Sequence, residues 1–524
     1  MSHLTRFKVV ALVAALATTA GSAALNAQSP IRPSGTLPAL GDNSELPAAA
    51  ERRIGDRIAA SIYRDPDYID DPVLTDYVQS IWQPLMAAAR ARGELNAELD
   101  ERFAWQVFLI RDRSINAFAL PGGYMGLHLG LIGAVSSRDE LAAVMGHELT
   151  HVTQRHISRL ISQQGRSTPW MIAAMILGAL AASKSPQAAS ALITGSQAAA
   201  LQSQLNFSRD MEREADRIGF NVMTDAGFEA RGVASMFEKL QQASRLNDNG
   251  AFPYLRSHPL TTQRIAEVQA RLQLAALEAP SATSASQHAA SQASSDARVL
   301  HAMMAARARV LADPGVDALR AMVAEAQRLP LPIPGNAGAL YAGSLAAAKL
   351  REFKLSANLA DKTRQAVGNQ LDASNIAVLL QIEVDLLAGK VPAAAQTMDI
   401  RTTTQRAELL TLAKALLAAG KPQDVSSRLS TWVNDQPKDS AAWQLLATAY
   451  GNQGQTVRAI RADAESHAAQ LDYPAALDRL KAAQNMVRSN PESSDFIESS
   501  IIDTRARQID SLVKQHALQD KLDR

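Results

Sequence analysis

The chain reads as an α+β domain, mostly helical with a small sheet, followed by an all-α tetratricopeptide-like helical array. Three features carry that reading: a helix-patterned stretch holding His147 and His151, a candidate hairpin around Pro121-Gly122-Gly123, and a 34-residue spacing between Gly420 and Gly454. At 524 residues the chain is too long for one ordinary core, so two folded domains with linkers are expected.

Lys and Arg number 53 against 52 Asp and Glu, a formal charge of +1. No large field points to nucleic acid or an acidic membrane surface, so no nucleic-acid partner and at most peripheral membrane contact are expected. The absence of cysteine excludes disulfides, thiolate zinc sites, a cysteine nucleophile and a lipidated N-terminal cysteine. Any metal must be held by His and carboxylates.

Residues 1–27 have the layout of a secretory signal. Arg6 and Lys8 precede the apolar stretch Val9 to Ala17, and small residues run from Gly21 to Ala27. The apolar core is shorter than the ~20 residues a bilayer span needs, so the mature protein is expected outside the cytoplasm. An extended arm follows over 28–50, marked by Pro30, Pro33, Pro38 and Pro47. From Glu51 to Arg90 the pattern is helical. Trp105 to Ile110 is rich in strand formers, and Ala117 to Leu120 and Tyr124 to Leu127 flank the Pro-Gly-Gly turn as a hairpin. The next helix opens with Ser137 and Glu140 at capping-box spacing and turns Leu141, Val144, Leu149 and Val152 to the core through about Ile161.

Pro169 to Ala182 is almost unbroken apolar sequence, and an Ala-rich segment continues to about Gln204. At ~14 residues the run falls short of a membrane span, and a helical hairpin over the first domain is expected. Residues 279–297 are an Ala/Ser-rich linker that divides a domain over 51–278 from a helical domain over 298–524. In the second domain, Leu417 to Lys421 recurs as Tyr450 to Gln455 with the tetratricopeptide period. Trp443, Leu446, Ala447, Tyr450 and Ala459 occupy positions where that repeat uses Trp, Leu, a small residue, Tyr and Ala. Turn signals at Gly389 and Asp472 to Pro474 fall at other spacings, so the array is irregular. Trp432, Trp443 and Tyr450 are read as packing residues.

His147-Glu148-Leu149-Thr150-His151 is H-E-x-x-H on a predicted helix. Two His one turn apart share a face and can grip one zinc ion, while Glu148, beside the open coordination position, can take a proton from water. A third ligand is needed downstream. His156 is near, but Gln154 and Ile157 stand where the metzincin pattern requires Gly and His, which excludes that family. In Glu212-Arg213-Glu214-Ala215-Asp216, Glu212 and Asp216 share a helix face and Glu214 points nearly opposite. On residue patterns alone either face can serve. His128 and His156 are read as ordinary polar residues.

Asn116 to Tyr124, Gly146 to Val152 and Glu212-x-x-Ala215-Asp216 together resemble the M48 metallopeptidases. The resemblance is motif-specific over about 50–275 and architectural over 298–524. It implies a zincin-like metalloprotease domain with one zinc ion on His147, His151 and Glu212, Glu148 as general base, and Asp216 orienting a ligand His. Ser257-His258-Pro259 with Arg264 matches a further pattern of the family. His258 is expected as a latch on the open metal position, and Arg264 as a local ion pair. An extended substrate is expected along the strand Tyr124 to Leu127, with Tyr124 and Gly126 on its pairing edge. An exported M48 domain joined to such an array resembles the family's periplasmic quality-control branch. That likeness implies cleavage of stalled outer-membrane β-barrel proteins and contact with the β-barrel assembly machinery through the array. The competing expectation is a scaffold or chaperone with a latent zinc site. The family's intramembrane branch is excluded for want of long apolar spans after residue 27.

Overall fold

Pro47 opens the first helix, α1 (Ala48–Arg64), so the last residues of the expected arm are already helical. In the computed structural model, residues 46–163, 207–246, 253–278, 284–391, 393, 399–489 and 495–522 are described. The signal segment, most of the arm and the apolar hairpin expected over 169–204 lie outside the described residues.

Strand β1 (Tyr68–Ile69) and helix α2 (Pro72–Ala91) follow, the helix capped by Asp71, which accepts the Leu74 N–H at 2.9 Å, with proline at its first position. After α3 (Ala97–Arg102) come β2 (Gln106–Ile110), β3 (Ala117–Leu120) and β4 (Tyr124–His128). The expected hairpin is β3–β4, antiparallel with Leu120 opposite Tyr124. Gly122 and Gly123 take φ of 74° and 85° in its turn, a conformation that favours glycine.

The sheet order is β1-β2-β4-β3, with β2 and β4 parallel. This corrects the expected substrate edge. Both sides of β4 are occupied by neighbouring strands and all five of its residues are buried, so Tyr124 and Gly126 offer no free edge. Tyr124 stacks on Phe108 and donates its hydroxyl to Asp56 at 2.6 Å. Gly126 makes room for the Phe118 ring, which a Cβ there would meet at 2.2 Å. Among the described residues, β3 is the edge strand on that side of the sheet.

Short α4 (Leu129–Ala134) leads into α5 (Arg138–Thr153), which carries the H-E-x-x-H residues. Its cap is the expected one: Ser137 accepts the Glu140 N–H at 3.2 Å. Buried Glu140 accepts Ser136 N–H at 2.7 Å and pairs with Lys239 at 2.7 Å, which anchors the helix start. The helix stops eight residues short of the expected end. Arg155 adopts φ of 53° and a new helix, α6 (His156–Gln163), begins. The Arg155 side chain holds that turn through Glu51 and the Leu46 carbonyl.

Helix α7 (Arg209–Asp225) crosses α5 at a glycine pair. A Cβ on Gly219 would lie 3.0 Å from the Gly146 backbone and the His147 nitrogen, so the crossing distance that sets His147 against α7 depends on both residues lacking side chains. Helices α8 (Arg231–Leu246), α9 (Tyr254–Ser257) and α10 (Thr262–Glu278) complete this part.

The segment expected as a linker is helical from Ser284 onward, in α11 (Ser284–Leu311). From Ser284 to Leu311 the alanine-rich sequence has no Gly or Pro to stop a helix. The second half of α11 buries Met303, Met304, Ala306 and Val310 against both parts of the chain, and residues 44–524 form one compact unit. The remaining helices are α12 (Val316–Arg328), α13 (Ala337–Lys349), α14 (Phe353–Val367), α15 (Leu371–Leu387), α16 (Arg406–Ala418), α17 (Pro422–Asp435), α18 (Ser440–Asn452), α19 (Thr456–Ala469), α20 (Tyr473–Ser489) and α21 (Phe496–Leu522). Gly389, Gly420 and Gly454 end helices at φ of 69°, 71° and 72°, so the repeated glycines are helix stops. Trp443 and Tyr450 are buried in packing, and Trp432 donates to Asp439 at 2.9 Å.

Polar contacts clamp the entry to α2 against the array. Arg307 forms paired bonds of 2.8 and 2.6 Å to Asp71 and also reaches Glu383 and the Tyr341 hydroxyl. Arg406 spans Asp70 and Asp439 at 2.8 Å each. Tyr77 and His301 meet at 2.6 Å.

Candidate metal centre

Helix α5 brings His147 and His151 to one face, their Nε2 atoms 3.0 Å apart. From α7, Glu212 places Oε2 3.5 Å from His147 Nε2 and Oε1 3.4 Å from His151 Nε2. His258, just after α9, sets Nδ1 3.3 Å from His147 Nε2 and 2.9 Å from Glu212 Oε1. Zinc–ligand bonds of about 2.0–2.1 Å in a tetrahedron put ligand atoms about 3.3–3.4 Å apart. The four residues are all buried, and one ligand atom from each lies within 4.8 Å of the others, a grouping that could hold a metal ion. Glu212 Oε2 is buried without a hydrogen-bond partner; Arg264 Nη1 lies 2.7 Å away as an ion contact only. A buried carboxylate amid imidazole nitrogens, with no thiolate, suits a borderline divalent ion.

Each α5 imidazole is held from behind. His147 Nδ1 lies 3.0 Å from Asp216 Oδ1, and Asp216 receives two bonds from Arg264, of 2.6 and 2.8 Å. Arg264 thus ties Glu212 and Asp216 together, as an ion pair at the candidate metal-binding carboxylate itself. His151 Nδ1 meets His156 Nδ1 at 2.8 Å, and His156 Nε2 lies 3.0 Å from Glu214, which also binds Arg159. The proton positions follow. Glu214 accepts from His156 Nε2–H, His156 Nδ1 accepts from His151 Nδ1–H, and the lone pair of His151 Nε2 faces Glu212.

The His156–Glu214 relay was missed in the sequence, where His156 reads as an ordinary polar residue. In a straight helix His156 would lie well off the face of His151, and neither Gly nor Pro announces the break at Arg155 that folds it back. His128 stays outside the cluster and meets Ser114 at 2.9 Å.

Glu148 is fully buried. Its Oε2 accepts the backbone N–H of Ala119 on β3 at 2.9 Å, while Oε1 has no hydrogen-bond partner and lies 3.4 Å from His258 Nε2. The carboxylate is thus braced against the edge strand with one oxygen bare. Burial opposes a charge on His147, but Asp216 and Glu212 outweigh it and raise the group to about 10. Burial holds His151 well below its usual value and His156 down at about 4. These opposed directions are consistent: His147 has two carboxylate neighbours, and a charge on it disfavours a second on His151. Burial would raise Glu212, yet His258, His147 and His151 hold it far below the usual carboxylate range.

Residues 72–272 match the family model Peptidase family M48. Over 470 residues the chain is 30% identical to the β-barrel assembly-enhancing protease of Escherichia coli K12, covering 86% of this chain and 88% of that protein. It is 37% identical over 237 residues to the putative β-barrel assembly-enhancing protease of Vibrio cholerae, 45% of this chain and 47% of the relative. The mitochondrial metalloendopeptidase OMA1 of Saccharomyces cerevisiae is 25% identical over 194 residues, covering 36% of this chain and 53% of that protein. The chain belongs to peptidase family M48 and is a zinc metalloendopeptidase. Among the described residues no helix is long and apolar enough to cross a membrane.

Proposed function

We propose that His147, His151 and Glu212 hold the zinc ion, that Glu148 is the general base, and that Asp216 and His156 orient the two imidazoles. The observation that carries this is the set of 3.0–3.5 Å separations among the three residues, which match the edges of a zinc tetrahedron. Zinc bound there supplies Lewis acidity toward the scissile carbonyl and lowers the pKa of a coordinated water. Glu148 Oε1, bare and buried, takes the proton from the attacking water and delivers it to the leaving amine. Ala119 N–H keeps the other oxygen fixed throughout. An extended substrate pairs along the outer edge of β3 beside Ala119, whose own N–H stays with Glu148, so backbone rather than sequence is read first.

His258 is a latch in this reading. Its Nδ1 lies 3.3 Å from His147 Nε2 and 2.9 Å from Glu212 Oε1, and its Nε2 faces the bare oxygen of Glu148, so one ring would cover both the metal and the base. Substrate must displace it. The substrates are stalled outer-membrane β-barrel proteins, and the chain works in the periplasm after loss of residues 1–27. The protease domain spans 51–278, and the tetratricopeptide-like domain over 298–524 contacts the assembly machinery. The names of the Escherichia and Vibrio relatives and the layout of the N-terminus support this assignment.

The test uses the purified mature chain and an unfolded outer-membrane barrel protein, with and without a chelator. Cleavage should require zinc. Glu148→Gln should keep stoichiometric zinc and lose cleavage by at least ~100-fold, the scale of a lost general base. His258→Ala should change the cleavage rate. Undiminished cleavage by Glu148→Gln would remove the hydrolytic assignment, and an unchanged rate for His258→Ala on every substrate would remove the latch. Zinc binding without cleavage in the parent and in His258→Ala would favour the scaffold reading.

A further inference from the structure

On the side of the sheet away from β3, a cleft lies between the first domain and the array. Val107 of β2 and Gln79 of α2 line it on one side, Trp432 of α17 and the α17–α18 connection at Gln436 and Lys438 on the other. Its free volume is about 280 Å³, the space of roughly twenty waters. The charges of the lining balance, since Arg406 lies between Asp70 and Asp439 and Lys438 offsets the second carboxylate. The cleft therefore favours an ion of neither sign.

The strand at the cleft is only partly covered. Gln106 donates its N–H to the Gly123 carbonyl at 3.0 Å, so Gln106, Phe108 and Ile110 turn their backbone groups toward β4, and Val107 and Leu109 turn theirs the other way. On that other side β1 has two residues and meets only Ile110 and Leu109. After Ile69 the chain leaves the sheet, and Asp71 caps α2. Among the described residues, the N–H and C=O of partly buried Val107 thus face the cleft with no strand opposite them.

We infer that this cleft is a second docking site for the polypeptide that the metal centre cuts: an extended stretch of that chain pairs with β2 at Val107, in the row that β1 leaves unfinished. The identity of the guest rests on the hydrolytic reading above; the site does not. A free N–H and C=O on one strand are the complement of another strand's main chain and read no side chain. A strand still held in a folded sheet brings a neighbour about 4.8 Å away, for which the wall at Trp432 and Gln436 leaves no space, whereas an unassembled chain enters alone. The Trp432 ring, fixed by its Nε1–H on Asp439 at 2.9 Å, offers one side chain of the guest an apolar face. The two sites are also well separated. A guest outside β2 and a substrate outside β3 are four strand spacings apart, about 19 Å. One polypeptide reaches both only by looping round the sheet, so a long chain gains from the cleft and a short peptide does not.

The chain has no cysteine, so Lys438→Cys can carry a photo-cross-linker at the cleft and nowhere else. In the full mature chain with Glu148→Gln, which leaves a bound peptide uncut, the label should capture a peptide of about ten residues that alternates threonine and valine to favour the extended state. Val107→Pro removes the N–H that faces the cleft and no bond to β4, and should lower capture at limiting peptide about 2–10-fold, the worth of one hydrogen bond. Val107→Thr keeps that N–H and should capture as the parent does. Gln79→Trp fills the cleft from α2 and should abolish capture, which decides the matter if Val107→Pro does not fold. With Glu148 restored, Val107→Pro should raise KM for an unfolded barrel protein and leave kcat, and the cleavage of a short peptide, unchanged. No capture, or capture that neither Val107→Pro nor Gln79→Trp lowers, refutes the site. Capture of a second copy in place of the peptide makes the cleft a dimer contact and refutes it too, and a KM unmoved in both variants refutes its role toward substrate. If the parent cleaves no polypeptide, the hydrolytic reading fails and capture alone decides the cleft.

Discussion

Replacing His156 with alanine should weaken zinc binding, although His156 does not itself face the ion. In the parent, His151 Nδ1–H is donated to His156 at 2.8 Å, and both rings are fully buried. Without His156 that N–H has no acceptor when Nε2 must be free for the metal. The metal-free protein escapes the penalty, because His151 can shift its proton to Nε2 and turn it toward Glu212 Oε1, 3.4 Å away. The cost therefore falls on the zinc-bound form. An unpaired buried N–H costs about 1–3 kcal/mol, and loss of a group behind a ligand typically lowers metal affinity about 10–100-fold; the two ranges overlap near 2 kcal/mol. Glu214→Gln should cost less, a few-fold, because glutamine keeps an oxygen for His156 Nε2–H and Glu214 is partly exposed. The assay is zinc competition against a chromophoric chelator at fixed pH, with circular dichroism to confirm the fold. A zinc affinity in His156→Ala within about twofold of the parent would refute the relay.

Arg307→Met should destabilise the protein by about 3–5 kcal/mol, because it strands the buried Asp71 carboxylate at the start of α2. Adding Asp71→Asn should recover part of that loss in urea unfolding, and strictly additive effects would show the pair uncoupled. Asp76 accepts the Ala407 N–H at 2.7 Å, and burial, against that bond and Arg406, pushes its carboxyl up to about 6. The unfolded chain ionises this group near pH 4. Below pH ~4 it is protonated in both states and costs nothing; stability falls as pH rises through 4 to 6, by at most about 3 kcal/mol, and stays lower above. Asp76→Asn should therefore melt higher than the parent at pH 8 and alike at pH 4. A constant difference across that range would overturn the assignment.

Local features of the fold were legible where local chemistry decides them. Ser137 and Glu140 mark the start of α5, the Pro-Gly-Gly turn marks β3–β4, and Gly420 and Gly454 mark helix ends. What escaped depends on partners distant in sequence. The hairpin pattern cannot tell which of its strands lies at the edge, because β4 is covered by a parallel pairing with β2 across a crossover. The low-complexity run at 284–297 has little of its own to bury, so whether it forms linker or helix depends on the alanine content and on the packed half that follows it in α11. His156 illustrates the same limit within the site: its role is created by a backbone turn at Arg155 that Glu51 and Leu46 stabilise from the start of the described chain.

The charges of the centre explain why a divalent ion belongs there. Glu148, Glu212 and Asp216 bring three carboxylates into a space where each is nearly fully buried, and Arg264 is a permanent cation paired with Glu212 and Asp216. Two negative charges are left over, the amount one divalent ion offsets. With no ion present, protons must do part of that work, which is why His147, set between Asp216 and Glu212, holds its proton up to about 10. A zinc ion held there would take the place of a proton that the carboxylates had recruited. Asp216 loses little in the exchange, because Arg264 already holds it by two bonds and it still accepts the Nδ1–H of His147. Glu212 would meet the ion with oxygens that already face the Nε2 atoms of His147 and His151. The role of each acid follows from its other contacts: Asp216 is saturated and orients, Glu212 is left open toward the metal, and Glu148, tied by one oxygen to β3, keeps the other bare for a proton.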